Sequence, residues 1–572
     1  MASLQPKNNT NQDKSEEPKE EKPKKKEDTS KSGKSKQPKV EEKEEGENKD
    51  SKSQKKNDKE KLYSIFNKRK LLKNAEDAIK LNKYDDAIDI YRYLIKKNKK
   101  DVNNYFNLGK LYMNMELYEK ALDIFNRGIK YSNEKDALYL NKGFCLFKLE
   151  KYEEALDTFD KGLIVDPKDH NLFHNRGLVL NKLGRYNEAI QSFKSGILLK
   201  SNDPSLYNNL GVSYSKIKQY NESLIYYDES IRLNPEDHLV YINKGISLKF
   251  LNRLDEALSN FFKSAKLQEK YPASYYYIAI IYKMKKDYKN ALKYFDIAIG
   301  LNNIYLSAYY YKGVTLNEMG KEEEALKCFL KCLELNPNYD FAFLNMGIIY
   351  DKMGKINEAL KYYDKALELN PKFAEAYLNK GITLYNCGKY EEALENYDNA
   401  IKYNDRMAIA YNNKGLCLVK LKKNDEAIQC YNKALEIDPK YLDVYINKGI
   451  CLREIDSFDE AYEEFDKALK LKSNYYLAYF HLGLIYSKKK DRQDLEKGLE
   501  FFNLAIKYKP SYSKSYFCKG LLQMKMILYG DAIQSFLKCK ELRNNKDELC
   551  DKKIKECTVE VNKLLNKQYN NY

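Results

Sequence analysis

The 572 residues contain no tryptophan and only four histidines, His170, His174, His238 and His481. That leaves little for acid–base catalysis. His170 and His174 have the i,i+4 spacing of a metal pair, but no cysteine or further histidine stands nearby in the chain. They read as surface or groove residues. No GxxxxGK[ST] phosphate loop occurs, and neither a nucleophile elbow nor a dinucleotide loop is present. No apolar run approaches the roughly 18 residues of a membrane helix. The start, MASLQPKNNT, lacks the apolar stretch of a secretory signal. Eleven cysteines are scattered, odd in number and without a CxxC pair. They read as buried free thiols in a reducing compartment. These absences exclude an evident enzyme, cofactor or metal site and set the expectation of a cytoplasmic protein without a membrane span.

What the chain does have is lysine, acid and tyrosine. Apolar residues make up 43%, enough for a folded core, and 52 are tyrosine. Residues 1–58 hold no aromatic side chain and cannot bury enough apolar area to offset the entropy of ordering, so this segment is expected to be disordered. Its PKKK run at Pro23–Lys26 makes the nucleus the alternative compartment. Lysine and acid nearly cancel in the tail. Most of the +17 net charge therefore belongs to the remainder, which should attract acidic surfaces, acidic peptides or nucleic acid.

Beyond residue 68 the chain repeats every 34 residues. Ala376 opens AYLNKGITLYNCGKYEEALENYDNAIKYN and Ala410 opens AYNNKGLCLVKLKKNDEAIQCYNKALEIDP. A glycine column runs Gly109, Gly143, Gly177, Gly211, Gly245, then Ala279, then Gly313 through Gly483. Twelve residues on comes a small residue such as Ala121 or Ala427, and four further an aromatic such as Phe125 or Tyr431. Apolar residues recur at three- and four-residue steps on both halves, which predicts two amphipathic helices per unit. The small residues allow close helix approach, and the aromatic is expected to fill the groove between neighbouring units. Gly184, Gly320, Gly354 and Gly388 mark the turn between the two helices, and Pro167, Pro235, Pro337, Pro371 and Pro439 mark the turns between units. The thirteenth unit carries an insertion around KKKDRQDLEKG, expected in the turn between its helices.

The aromatic–glycine–tyrosine–alanine–aromatic–alanine–proline order resembles the tetratricopeptide repeat family. Tyr or Phe replaces the family's leading Trp throughout, as at Tyr105, Phe173 and Tyr411. The resemblance covers about 68–546, some fourteen units, and is similar to the long array of O-linked N-acetylglucosamine transferase without its catalytic domain. It implies an all-α, right-handed superhelical α-solenoid of tandem helix-turn-helix units, with first helices lining a concave groove that binds protein segments. The expected organisation is a tail at 1–58, an N-terminal cap at 59–67, the array at 68–546 and a C-terminal capping helix at 547–572.

Two residues before the glycine stands an asparagine: Asn107, Asn141, Asn175, Asn209, Asn243, Asn345, Asn379, Asn413 and Asn447. Helix packing does not require a carboxamide there, and Asn is a mediocre helix former. By the resemblance these residues form a ladder that grips an extended peptide through its backbone amides. The alternative is a solvated face repeated by duplication. Tyr276, Tyr277, Tyr310 and Tyr311 interrupt the ladder and suggest an aromatic patch. Lys148, Lys182, Lys216, Lys352, Lys420, Lys488 and Lys525 form a further column suited to an acidic ligand. The family's clamp for chaperone tails is not expected, because the residue after the glycine is apolar, as at Ile246, Val314, Ile348 and Ile382. The reading is a non-catalytic scaffold or adaptor. Recognition subunit of a glycosyltransferase-like enzyme complex, and subunit of a ciliary-transport or cell-cycle assembly, are the alternatives. Neither a small-molecule substrate nor nucleic acid is the expected partner.

Overall fold

The computed structural model describes residues 59–131, 136–544 and 547–569. The expected disordered tail at 1–58 lies outside them. Fourteen antiparallel helix pairs follow one another from Lys68–Lys80 with Tyr84–Lys97 to Ser513–Lys525 with Tyr529–Leu542. In most pairs the first helix has 13 residues and the second 14, and no strand occurs among the described residues. The chain is thus an all-α solenoid. Its contacts divide it into two compact units that meet in sequence at Thr315 and Leu316. Within each unit the second helix of a pair packs on its own first helix and on the first helix of the next pair.

The glycine column explains this packing. From Gly109 to Gly449, where the contact is resolved, the glycines of the column lie under the aromatic ring sixteen residues later, on the second helix of the same pair. A Cβ added at Gly415 would stand 2.6 Å from Tyr431 Cε1, and one at Gly381 2.7 Å from Tyr397 Cε1. Both rings are completely buried. The aromatic therefore fills space inside its own pair, not the groove between neighbouring units, because the missing Cβ leaves room for the ring against the first helix. Contact to the next pair comes from a different column: the second-helix glycine Gly162 sits beside Leu172 of the following first helix, and Leu172 is fully buried.

The tyrosines that replace Trp use their hydroxyls. Tyr207 donates to Ser201 O at 3.1 Å, Tyr241 to Pro235 O at 3.1 Å, Tyr445 to Pro439 O at 3.1 Å and Tyr479 to Ser473 O at 2.9 Å. Each bond reaches six residues back and ties the inter-pair turn to the helix it precedes, a link that the indole of Trp would not make.

The turn inside each pair is backbone-defined. Gly184, Gly320, Gly354 and Gly388 have φ of 71° to 78°, and the same step recurs at Glu116, Glu150, Lys218, Asn252, Lys286, Lys422, Asp456 and Ile527 with φ of 59° to 64°. Glycine marks the turn where it occurs, and elsewhere other residues accept left-handed strain. The thirteenth pair departs from this. Its extra residues are not in the turn but in the second helix, Arg492–Tyr508, which has 17 residues. Gly483 still meets its aromatic, Phe502, because the insertion adds nearly a whole helical turn and preserves the buried face.

Both ends are covered. At the N-terminal end a short helix over 59–65 packs on the first pair, with Tyr63 against Tyr93 and Lys59 bonded to Asp86 and Asp89. At the C-terminal end the helix Glu548–Tyr569 buries Cys550 and Cys557 against the last pair, while Leu549, Val559 and Leu564 stay exposed. All eleven cysteines are free thiols and eight are buried, as the sequence suggests. No described helix is long and apolar enough to cross a membrane.

The core also holds a histidine. His481 is buried between Phe465, which it stacks on at 5.4 Å, and Phe480. Neither ring nitrogen has a protein partner. Burial, with the charges of Arg453 and Lys514, pushes its pKa down to about 3.

Three outcomes follow from this packing. Gly415→Ala should cost about 1–3 kcal/mol, since the buried Tyr431 ring cannot withdraw, whereas Ala279→Gly should cost only the roughly 1 kcal/mol of helix entropy; denaturant melts of the two variants check the contrast. Ile527→Gly, at an exposed left-handed position, should gain about 1 kcal/mol in the same assay. His481 is neutral when folded, while the unfolded chain takes up the proton near its ordinary pKa of 6.5. Stability from this site is therefore full above that pH and lost as pH falls toward 3, by about 2–3 kcal/mol at pH 4.5. Melting as a function of pH should be steeper between pH 6.5 and 4.5 in the native protein than in His481→Asn.

Candidate functional site

The asparagine column follows the first helices, one residue per pair. Its register places neighbouring members within reach of each other's helices. Asn243 Nδ2 donates to Asn208 Oδ1 at 3.0 Å, and Asn447 Nδ2 to Asn412 Oδ1 at 2.9 Å. Asn209 Nδ2 donates to His174 Nε2 at 2.8 Å, which makes that nitrogen the acceptor. Burial lowers the His174 pKa and keeps the ring neutral for this bond. The imidazole of His174 is thus engaged by a member of the column.

The carboxamides are oriented by their own helices. Asn141 Nδ2 donates to Ala137 O at 2.6 Å, Asn175 to Asn171 O, Asn345 to Phe341 O and Asn379 to Glu375 O, each at 2.8 Å. With one N–H of the NH₂ group bonded four residues back, the Oδ1 atom and the second N–H remain for a ligand.

The two compact units differ in how far the column is open. In the first, Asn107, Asn141, Asn175, Asn209 and Asn243 are all half-buried. In the second, Asn345, Asn379, Asn413 and Asn447 are 2%, 5%, 0% and 5% exposed. His481 stands at the next position of that column, equally buried. The half-buried set is the one with surface left to offer.

The tyrosines divide likewise. Tyr277 and Tyr311 are half-buried, and Tyr277 stacks on Phe261 at 5.2 Å. Tyr276 and Tyr310, 4% and 5% exposed, are core residues, with Tyr276 packed against Phe295 and Tyr305. A tyrosine pair at successive helical positions turns one ring inward and leaves the other at the surface, since neighbours on a helix do not share a face.

The lysine column is largely engaged in the fold. Lys488 pairs with Asp456 at 2.9 Å, Lys352 donates to Asn317 Oδ1 at 3.0 Å, and Lys525 donates to Ser487 O and Lys489 O at 2.7 Å. Each contact reaches the C-terminal end of the preceding first helix, and that of Lys525 caps its carbonyls, which carry partial negative charge. Lys148, Lys182 and Lys216 are exposed. A second cationic column escaped the sequence reading. The residue just before the glycine reaches the second helix of the preceding pair: Arg176 to Asp160 at 2.6 Å, Lys244 to Asp228 at 2.5 Å, Lys312 to Asp296, Lys380 to Asp364 and Lys414 to Asp398. The signal was a 16-residue Asp-to-Lys spacing, visible as soon as the repeats are aligned.

The tetratricopeptide repeat model matches residues 204–237, 307–339, 341–373 and 408–441, and further models of the same repeat match 177–218, 362–395 and 442–475. The model of subunit 3 of the anaphase-promoting complex, or cyclosome, matches 79–162. No curated protein matches the sequence. Among solved structures, the anaphase-promoting complex hetero-tetramer Cut9–Hcn1 is 15% identical, covering 81% of this chain and 98% of that one at a TM-score of 0.39. Yeast Tom70 is 19% identical, covering 80% and 98%, also at 0.39. MamA is 28% identical over 28% of this chain and 94% of that one, at 0.27. Such scores assign no partner. With fourteen helix pairs, the glycine and aromatic columns and repeat matches in both compact units, the chain is a tetratricopeptide-repeat protein.

Proposed function

We propose that the chain is a non-catalytic scaffold that binds an extended protein segment along the first helices of residues 102–250, with Asn107, Asn141, Asn175, Asn209 and Asn243 as its contact column. The observation that carries this reading is the anchoring of Asn141 and Asn175 to their own helices. It leaves their oxygens at a 34-residue spacing on half-buried ground, which suits the N–H groups of an extended backbone. Tyr277 and Tyr311 add partly exposed aromatic area in the same compact unit. Asn345, Asn379, Asn413 and Asn447, together with Tyr276 and Tyr310, contribute mainly to the fold in this proposal. The net charge of +17 and the exposed Lys148, Lys182 and Lys216 favour an acidic segment.

A narrower reading rests on the match of 79–162 to the subunit 3 model. In it, the scaffold works as a subunit of a cell-cycle assembly. Sizing of the native protein in extract would then place it in a particle much larger than the free chain, and migration as a free chain would rule this reading out.

The groove reading is checked by affinity capture from nuclease-treated native extract. Baits are the native protein and the triple variant Asn141→Ala, Asn175→Ala, Asn209→Ala. Partners should be weakened about tenfold or more in the variant, equivalent to about 1.4 kcal/mol, with a thermal shift of only a few degrees. Undiminished capture would move the site off the column. Raised salt should weaken the same partners if their segment is acidic, and salt-independent capture would remove the charge preference.

A further inference from the structure

The junction between the last helix pair and the C-terminal helix holds a cluster of metal-ligand-type side chains. Cys539 lies on Tyr529–Leu542, and Cys550 on the first turn of Glu548–Tyr569. Both are fully buried, and Asp547, at the start of the latter helix, keeps only 9% of its side chain exposed. The two Sγ atoms and a carboxylate oxygen of Asp547 lie within 4.8 Å of one another. Asp547 and Cys550 stand three residues apart, so they project on one side of the first turn.

We propose that Cys539, Cys550 and Asp547 form a binding site for a thiophilic divalent cation of the zinc class, which fastens the capping helix to the last repeat. Two thiolates and a carboxylate with a fourth position left to water are a normal donor set for such an ion. The surrounding charge supports it. The guanidinium of Arg543 pairs with Asp547 Oδ2. Two thiolates and a carboxylate bring three negative charges, which the dication and Arg543 balance to zero. Asp547 can serve all its neighbours: Oδ1 accepts from the backbone N–H groups of Leu549 and Cys550 at 3.1 and 3.2 Å, and Oδ2 takes Arg543 and has a lone pair left for the ion. Arg543 is itself held by Ser513, so it acts as the positioning residue for the ligating carboxylate.

Protonation fits the same picture. Burial raises the Cys550 thiol, and the adjoining Cys539 and Asp547 raise it further; burial also raises Cys539. Without a cation the pair stays protonated. A bound dication reverses that preference, releasing one proton from each thiol as its metal–sulfur bond forms. Binding should therefore tighten as pH rises.

The test uses the full chain, purified reduced and metal-free, and titrated with Co²⁺ and then Zn²⁺. One Co²⁺ per chain should bind with a thiolate-to-cobalt charge-transfer band that Zn²⁺ abolishes. The band should be absent in Cys539→Ser and Cys550→Ser, bind at least tenfold more weakly in Asp547→Asn, and persist in a variant of the exposed Cys387, Cys387→Ser. Sub-stoichiometric binding, or a band retained in both the Cys539 and Cys550 variants, would overturn the site. Where circular dichroism shows a variant to be unfolded, alkylation of the native protein followed by peptide mass mapping replaces it. Zn²⁺ should protect Cys539 and Cys550 selectively, and equal labelling with and without the ion would refute the proposal.

Discussion

The fold depends on a ring lying on a glycine. In each of the pairs from Gly109 to Gly520 where the contact is resolved, the aromatic of the second helix approaches the glycine of the first so closely that a Cβ would stand under 3.0 Å from a ring carbon. Dispersion and apolar burial reward this contact only at close range. It sets the separation within a pair, and the repeated separation sets the register for the next pair. Two natural exceptions, Ala75 opposite Tyr91 and Ala279 opposite Phe295, retain buried rings, so the array absorbs an added methyl where the sequence has adapted around it.

Polar contacts then determine which surfaces remain free. The Arg/Lys-to-Asp clamps between neighbouring pairs and the lysines that reach the ends of preceding helices turn much of the basic composition inward to structural use. Such part-exposed pairs add little stability individually. Their effect is instead to hold cations at fixed places along the stack, so net charge overstates the positive surface offered to a partner. The asparagine column is subject to the same economy: carboxamides bonded to carbonyls of their own helix have one N–H fewer to offer.

The ends are handled by different chemistry. The N-terminal helix is held by the contact of Tyr63 with Tyr93, whose rings are tilted at 56°, and by lysine–acid contacts. The C-terminal helix docks through cysteines and an aspartate. Nearest-neighbour stacking leaves an open last face in any repeat array. A cluster of ligand-type side chains at that face, with an arginine to complete the charge, is a means of closing it that apolar packing alone does not supply.

Much of this was readable from the chain. Period 34, the glycine, alanine and aromatic columns and the break near residue 546 determined helix pairs, their number and their boundaries, because each is a local or nearest-neighbour property carried by side-chain size. The tertiary structure decided what depends on three-dimensional direction. It placed the aromatic inside its own pair, wound the residues inserted before Gly498 into a helix, and turned Tyr276 and Tyr310 inward while Tyr277 and Tyr311 stayed at the surface. It also made the asparagines of one unit half-open and those of the other closed. Sequence spacing fixes which helix face a side chain occupies, but whether that face meets solvent, a neighbouring helix or another side chain from a distant turn is settled only when the helices pack.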